Sequence, residues 1–101
     1  MNEGITTKLM QLSSRLEELD GLLSSEDVTS DLNNYRKLTR EHAEIVPVVE
    51  LYRTYQLGER NIQAAQEMIS DAEMREFAED EIRGEKEKLI QIELELQKLL
   101  L

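Results

Sequence analysis

The chain has 101 residues, of which 40% are apolar and only 4% aromatic, no cysteine, and a net charge of −10 from 12 basic and 22 acidic groups. That length supports one small domain with a thin aliphatic core. The missing cysteines exclude disulfides, thiolate catalysis and thiolate metal sites, and the acidity argues against autonomous binding to nucleic acid or an anionic membrane.

A first helix is predicted over residues 3–23, because Ile5, Leu9, Leu12, Leu16, Leu19 and Leu23 recur at alternating steps of four and three. This spacing lays a narrow apolar seam along one side of a helix, the geometry of helices that pair lengthwise. Asn2 is placed to cap it, and the polar stretch Ser24-Ser25-Glu26-Asp27 ends it. A second helix is predicted over residues 30–68, on the stripe Leu32, Tyr35, Leu38, His42, Ile45, Val49 and Tyr52, with Thr29, Ser30 or Asp31 as its cap. Pro47 lies inside it, where proline removes a backbone donor, crowds the carbonyl of Ala43 and costs about 3 kcal/mol. The stripe keeps its phase across Pro47, and Val46 would be a poor cap for a fresh helix, so one kinked helix is expected. Beyond Tyr52 the stripe loosens through Gln56 and Glu59 and resumes at Ile62, Ala65 and Ile69, which predicts a change of packing partner or partial exposure.

A third helix is predicted over residues 71–100. Ser70 and Glu73 have the spacing of a capping box, Ile69 and Met74 that of a hydrophobic staple, and Asp71 is an alternative cap. Its seam is Ala78, Ile82, Glu85, Leu89, Ile92, Leu96 and Leu99, apolar throughout except at Glu85. At about 1.5 Å per residue it is on the order of 45 Å long. The short link before it forces an antiparallel hairpin with helix two. The expected fold is therefore all-α, an elongated three-helix bundle with a long kinked second helix antiparallel to a long third, forming one domain over 1–101. Leu99-Leu100-Leu101 is an end that water does not favour, and it leads to the expectation of a longer chain.

No run approaches the roughly 20 apolar residues that span a bilayer, and Met1-Asn2-Glu3-Gly4 lacks the layout of a secretory signal, so a cytoplasmic protein off the membrane is expected. Candidate chemistry is sparse. His42 falls on the stripe of helix two and reads as a core or rim histidine, without the partners a metal needs. Glu76, Glu79, Asp80 and Glu81 read as a solvated face, with Glu79 oriented to pair with Arg83. No catalytic residue, cofactor or metal is assigned.

What remains is an interaction surface. The charge is uneven: residues 1–34 hold 2 basic and 7 acidic groups, residues 35–67 hold 5 of each, and residues 68–101 hold 5 and 10. The middle third is thus the least repulsive toward a polyanion. Arg36, Lys37 and Arg40 cluster there, able to touch phosphates in a larger assembly, or else to form surface pairs of Lys37 with Glu41 and Arg40 with Glu44. Tyr55, off the stripe beside Arg53, is a candidate exposed anchor for a partner. Arg36, Lys37, Arg40, Arg53 and Tyr55 make up the candidate surface.

From Tyr35 onward the residue order becomes specific: Tyr35-Arg36-Lys37-Leu38, Arg40-Glu41-His42-Ala43, Pro47-Val48-Val49 with Tyr52 and Tyr55, Ala64-Ala65, Met68, and the run DAEMREFAEDE at 71–81. This set resembles the N-terminal domain of bacterial class I peptide chain release factors, on the branch that reads UAA and UAG. Many relatives place proline where this chain has Ala72. The family's Gly-Gly-Gln motif for ester hydrolysis and its Pro-x-Thr type decoding tripeptide do not occur here, so neither role is carried over. The resemblance implies a helical arm in translation termination that reaches the ribosome at the stalk base of the large subunit, near the GTPase release factor, and that is mainly monomeric by itself. Spacing and charge alone also fit a free-standing coiled-coil adaptor or assembly protein.

Overall fold

The computed structural model describes every residue from Met1 to Leu101 and is all-α. Helix α1 spans Glu3–Leu23, α2 spans Leu32–Glu67 and α3 spans Arg75–Leu99, with a 3-10 turn at Val28–Ser30. Two compact units divide the chain at Met1–Glu50 and Leu51–Leu101, the boundary falling within α2.

The first unit pairs α1 with the start of α2. The Asn2 side chain caps α1 by accepting the Ile5 N–H at 2.8 Å, and the Ser24 N–H closes it on the Asp20 carbonyl at 3.1 Å. Of the three residues able to cap α2, Asp31 does so: its Oδ1 accepts the Asn34 N–H at 3.1 Å. The 3-10 turn occupies Val28–Ser30, so α2 begins at Leu32 and not at Ser30. The core is Leu16, Leu19, Leu38, Ile45 and Val49, flanked by the partly buried Leu12, Leu23, Val28 and Val46. All six seam residues of α1 are buried or half-buried.

α2 runs unbroken through Pro47. Pro47 and Ala43 are both exposed, so the carbonyl that the ring displaces can turn to water, which lowers the cost of an interior proline.

The second unit pairs the rest of α2 with α3. Gly58 faces Leu89 and Glu85, and Glu93 is the carboxylate of α3 close enough to act on Tyr55. Facing residues thus retreat along α3 as the chain advances along α2, and the pair is antiparallel. A Cβ at Gly58 would lie 2.6 Å from Leu89 Cδ2; glycine is what lets the helices approach here. It also explains the one acid in the α3 seam. The Glu85 side chain is only 15% exposed, turns toward the space above Gly58, and has Lys88 Nζ 3.7 Å away.

α3 begins at Arg75, four residues later than the capping pattern implies. Residues 68–74 form successive turns instead, with Asp71 N–H on the Met68 carbonyl at 3.1 Å and Met74 N–H on the Asp71 carbonyl at 3.0 Å. The Asp71 carboxylate accepts the Glu73 N–H at 3.0 Å, a local bond that competes with helix, and Arg75 Nε ties the segment by donating to the Ile69 carbonyl at 2.9 Å. The Ser70–Glu73 capping box does not form. Leu99, expected in the seam, is exposed at the end of α3.

Candidate functional site

The rotation of α2 in the first unit is fixed by its buried residues Leu38, Ile45 and Val49. At about 100° per residue, Arg36 and Arg40 then fall on the opposite side, with Lys37 beside them. All three are exposed. Thr39, between them in sequence, turns its hydroxyl back onto the Tyr35 carbonyl at 2.8 Å and does not compete for their ligands.

The surface pairs that sequence spacing allows for these cations are not formed. Glu41 is taken by α1: Arg15 Nε donates to Oε2 at 2.6 Å and Nη2 to Oε1 at 2.7 Å, a two-pronged contact that fits the planar guanidinium to the carboxylate. The third arm of Arg15, Nη1, pairs with Glu18. The hydrogen bond from Arg15 holds the Glu41 carboxyl below its ordinary value; desolvation opposes this, and the charges of Arg15 and Lys37 reinforce it. The same pairing with Glu41 pushes the Arg15 guanidinium further up. Arg36, Arg40 and Arg53 form no ion pair.

The other candidates are structural. His42 sits on the rim of the α1–α2 contact with Nε2 2.8 Å from Asp20 Oδ1. No cluster of His, Cys, Asp and Glu could hold a metal ion. In the acidic run of α3, Arg83 pairs with Asp80 at 2.9 Å and not with Glu79. Tyr55 is a correction: it is only 7% exposed, buried in the second unit, and no anchor for a partner. Burial pushes its hydroxyl above the usual tyrosine range, with Glu59, Glu93 and Tyr52 adding to the effect. Arg53 is exposed in the second unit. The structure therefore gathers Arg36, Lys37 and Arg40 on one face, while Arg53 and Tyr55 belong to a separate unit.

Sequence reasoning missed Arg15. The available signal was positional: Arg15 adjoins the α1 seam at Leu16, as Glu41 adjoins the α2 stripe at His42, and residues flanking two facing seams are those that exchange charges between helices.

Comparison with known proteins gives the family of the chain. The PCRF domain family matches residues 12–101. Peptide chain release factor 1 of Nitrosospira multiformis is 60% identical over all 101 residues, which is 100% of this chain and 28% of that protein. The factor of the same name from Nitrosomonas europaea is 56% identical, and that from Burkholderia ambifaria 54%, each with 100% of this chain and 28% of the relative covered. The chain thus spans little more than a quarter of the length of these relatives.

Proposed function

This chain belongs to the PCRF domain family, and on that premise we propose that it is the helical interaction arm of a peptide chain release factor acting in translation termination at UAA and UAG. The arm meets the ribosome at the stalk base of the large subunit, beside the GTPase release factor, and uses the exposed α2 face bearing Arg36, Lys37 and Arg40. The work is cytoplasmic. Decoding and hydrolysis of the peptidyl-tRNA ester belong to other parts of such a factor, since Gly-Gly-Gln does not occur in these 101 residues.

The observation that carries the reading is the identity of 60% across the whole chain to a release factor 1. Its physical complement is the exposed α2 face bearing Arg36, Lys37 and Arg40, of which Arg36 and Arg40 form no ion pair.

The test is a segment exchange. These 101 residues replace the matching stretch of a release factor 1, and stop-codon-dependent peptide release from ribosomes is measured. Activity close to the parent is expected from the exchange and none from the 101 residues alone. An exchange that folds but releases no peptide, or ester hydrolysis by the 101 residues alone, overturns the assignment.

A further inference from the structure

We propose that one flank of the α2–α3 hairpin, from Phe77 to Leu57, is a docking groove for an amphipathic helical segment of a partner protein whose polar side is basic. This surface lies in the second unit, goes beyond the reading above and does not depend on it.

Phe77 is the only phenylalanine of the chain and is 54% exposed, whereas Tyr52 and Tyr55 are buried and Tyr35 is half-buried. A single exposed apolar side chain is ordinary. Phe77 is not single. The hollow beside it is floored by Gly84, about two turns farther along α3, and continues past Glu85 and Lys88 into a second hollow formed by Leu57, Gly58, Leu89 and Ile92. Leu57 is 50% exposed, and Leu89 and Ile92 are half-buried. The groove therefore has an apolar anchor at each end and a glycine in each hollow. Gly58 faces Glu85 and Leu89, so at about 1.5 Å per residue Phe77 lies about 15 Å away along α3. That distance is about three turns of a partner helix, which sets apolar side chains from successive turns into such a groove.

Charge selects the occupant. Residues 71–88 hold eight acidic and four basic groups, a local net charge of −4, in which Arg83 is spent on Asp80 and Lys88 lies 3.7 Å from Glu85. Glu81, in the wall of the first hollow, forms no ion pair. This field repels nucleic acid and anionic membranes, and it sets a second copy of the chain against itself. An apolar stripe edged by Lys and Arg meets both demands of the surface. Aromatic and other apolar side chains fill the centre of protein interfaces, and opposite charge at the rim speeds encounter and fixes register.

The experiment titrates the nitrogen-15-labelled chain with three synthetic peptides and follows the amide signals by NMR. One peptide sets Leu and Lys in an amphipathic helical pattern, the second keeps that pattern with Glu in place of Lys, and the third has the same Lys content with Ser in place of Leu. The glycines Gly4, Gly21, Gly58 and Gly84 report on both units. The Leu/Lys peptide should shift Gly58 and Gly84 and leave Gly4 and Gly21 in place, and the other two should shift none of them. Phe77→Ala should weaken binding by about tenfold or more. Gly84→Gln should weaken it likewise by filling the floor, and it should still fold, because a Cβ there meets nothing within 4 Å. Glu81→Gln should weaken binding at low salt and match the parent at about 1 M, where charge is screened. Equal binding of the Lys/Ser peptide reduces the groove to bulk charge, and equal binding of the Leu/Glu peptide reduces it to plain greasiness; either overturns the proposal. So does a Gly4 or Gly21 shift as large as that of Gly84, indifference to Phe77→Ala, or self-association of the chain that Phe77→Ala abolishes. Loss of peptide binding once the 101 residues are built into a full-length release factor 1 gives the groove to another part of that factor and also overturns it. The segment exchange reads peptide release and not this binding, so either result can fail without the other.

Discussion

Arg15 of α1 and Glu41 of α2 meet in a two-pronged contact, Nε to Oε2 at 2.6 Å and Nη2 to Oε1 at 2.7 Å, that links the two helices of the first unit. It is a tertiary contact in a place where helical spacing alone would have paired Glu41 with Lys37 four residues earlier. A planar fork on a carboxylate outcompetes a flexible ammonium, because two directed bonds form for one side chain ordered.

This pair makes stability depend on acid. Glu41 is held below its ordinary value of 4.5 chiefly by the Arg15 hydrogen bond, so the pair stabilises fully above the unfolded-state value and is lost as pH falls through the lower folded-state one. Thermal melts followed by circular dichroism should show Glu41→Gln less stable than the parent at pH 7. The gap between the two should begin to narrow as pH falls below the ordinary value of 4.5 and keep narrowing as pH drops further. An equal gap at pH 7 and pH 3 would refute the linkage.

Leu19 is fully buried at the centre of the first unit, among Leu16, Leu38, Ile45 and Val49. Leu19→Ala should cost about 2–5 kcal/mol in urea denaturation, from lost transfer energy plus the cavity left behind. That is a large part of the roughly 5–15 kcal/mol that holds a small domain together. Leu12→Ala, at the half-buried edge of the same cluster, should cost clearly less. Equal costs at the two sites would mean that the cluster is not packed as described.

The glycines of the second unit separate propensity from packing. Gly84 is in α3, and a methyl added to its Cα would meet nothing within 4 Å, so Gly84→Ala should stabilise by about 0.8–1 kcal/mol through helix propensity alone. At Gly58 the same gain is opposed by the Leu89 side chain, 2.6 Å from the new Cβ. Leu89 can swing aside for alanine, which makes Gly58→Ala nearly neutral, whereas Gly58→Val adds two methyls and should destabilise by about 1–3 kcal/mol. A stabilising Gly58→Val would show that α2 and α3 are not in close contact there.

The four-and-three template reads α1 well because a single period serves its whole length, and all six of its seam positions face inward. In α2 the template fails beyond Tyr52. Val49, Tyr52, Tyr55 and Gly58 are buried at three successive steps of three, and each such step falls about 60° short of a full turn at 3.6 residues per turn. The buried stripe therefore walks around the helix, which is why Tyr55 looked exposed. At the candidate site the cations were legible as residue types on one face. That Glu41 is engaged by Arg15 was not legible, because Arg15 reaches it from another helix, and a contact between helices leaves no period in either one.

Tyr55 carries the last test. Its hydroxyl is held above the ordinary range first by burial, and then by Glu59, Glu93 and Tyr52. A tyrosine that stays protonated in the folded protein while it ionises in the unfolded chain withdraws stability as pH rises above its unfolded value near 10. Denaturation midpoints of the parent should therefore fall with rising pH across that region. Tyr55→Phe keeps the ring and removes the titrating group, so its midpoints should fall less steeply over the same range, with the difference between the two proteins growing as pH increases. Parallel curves would place the Tyr55 hydroxyl in water and undo the packing of the second unit around it.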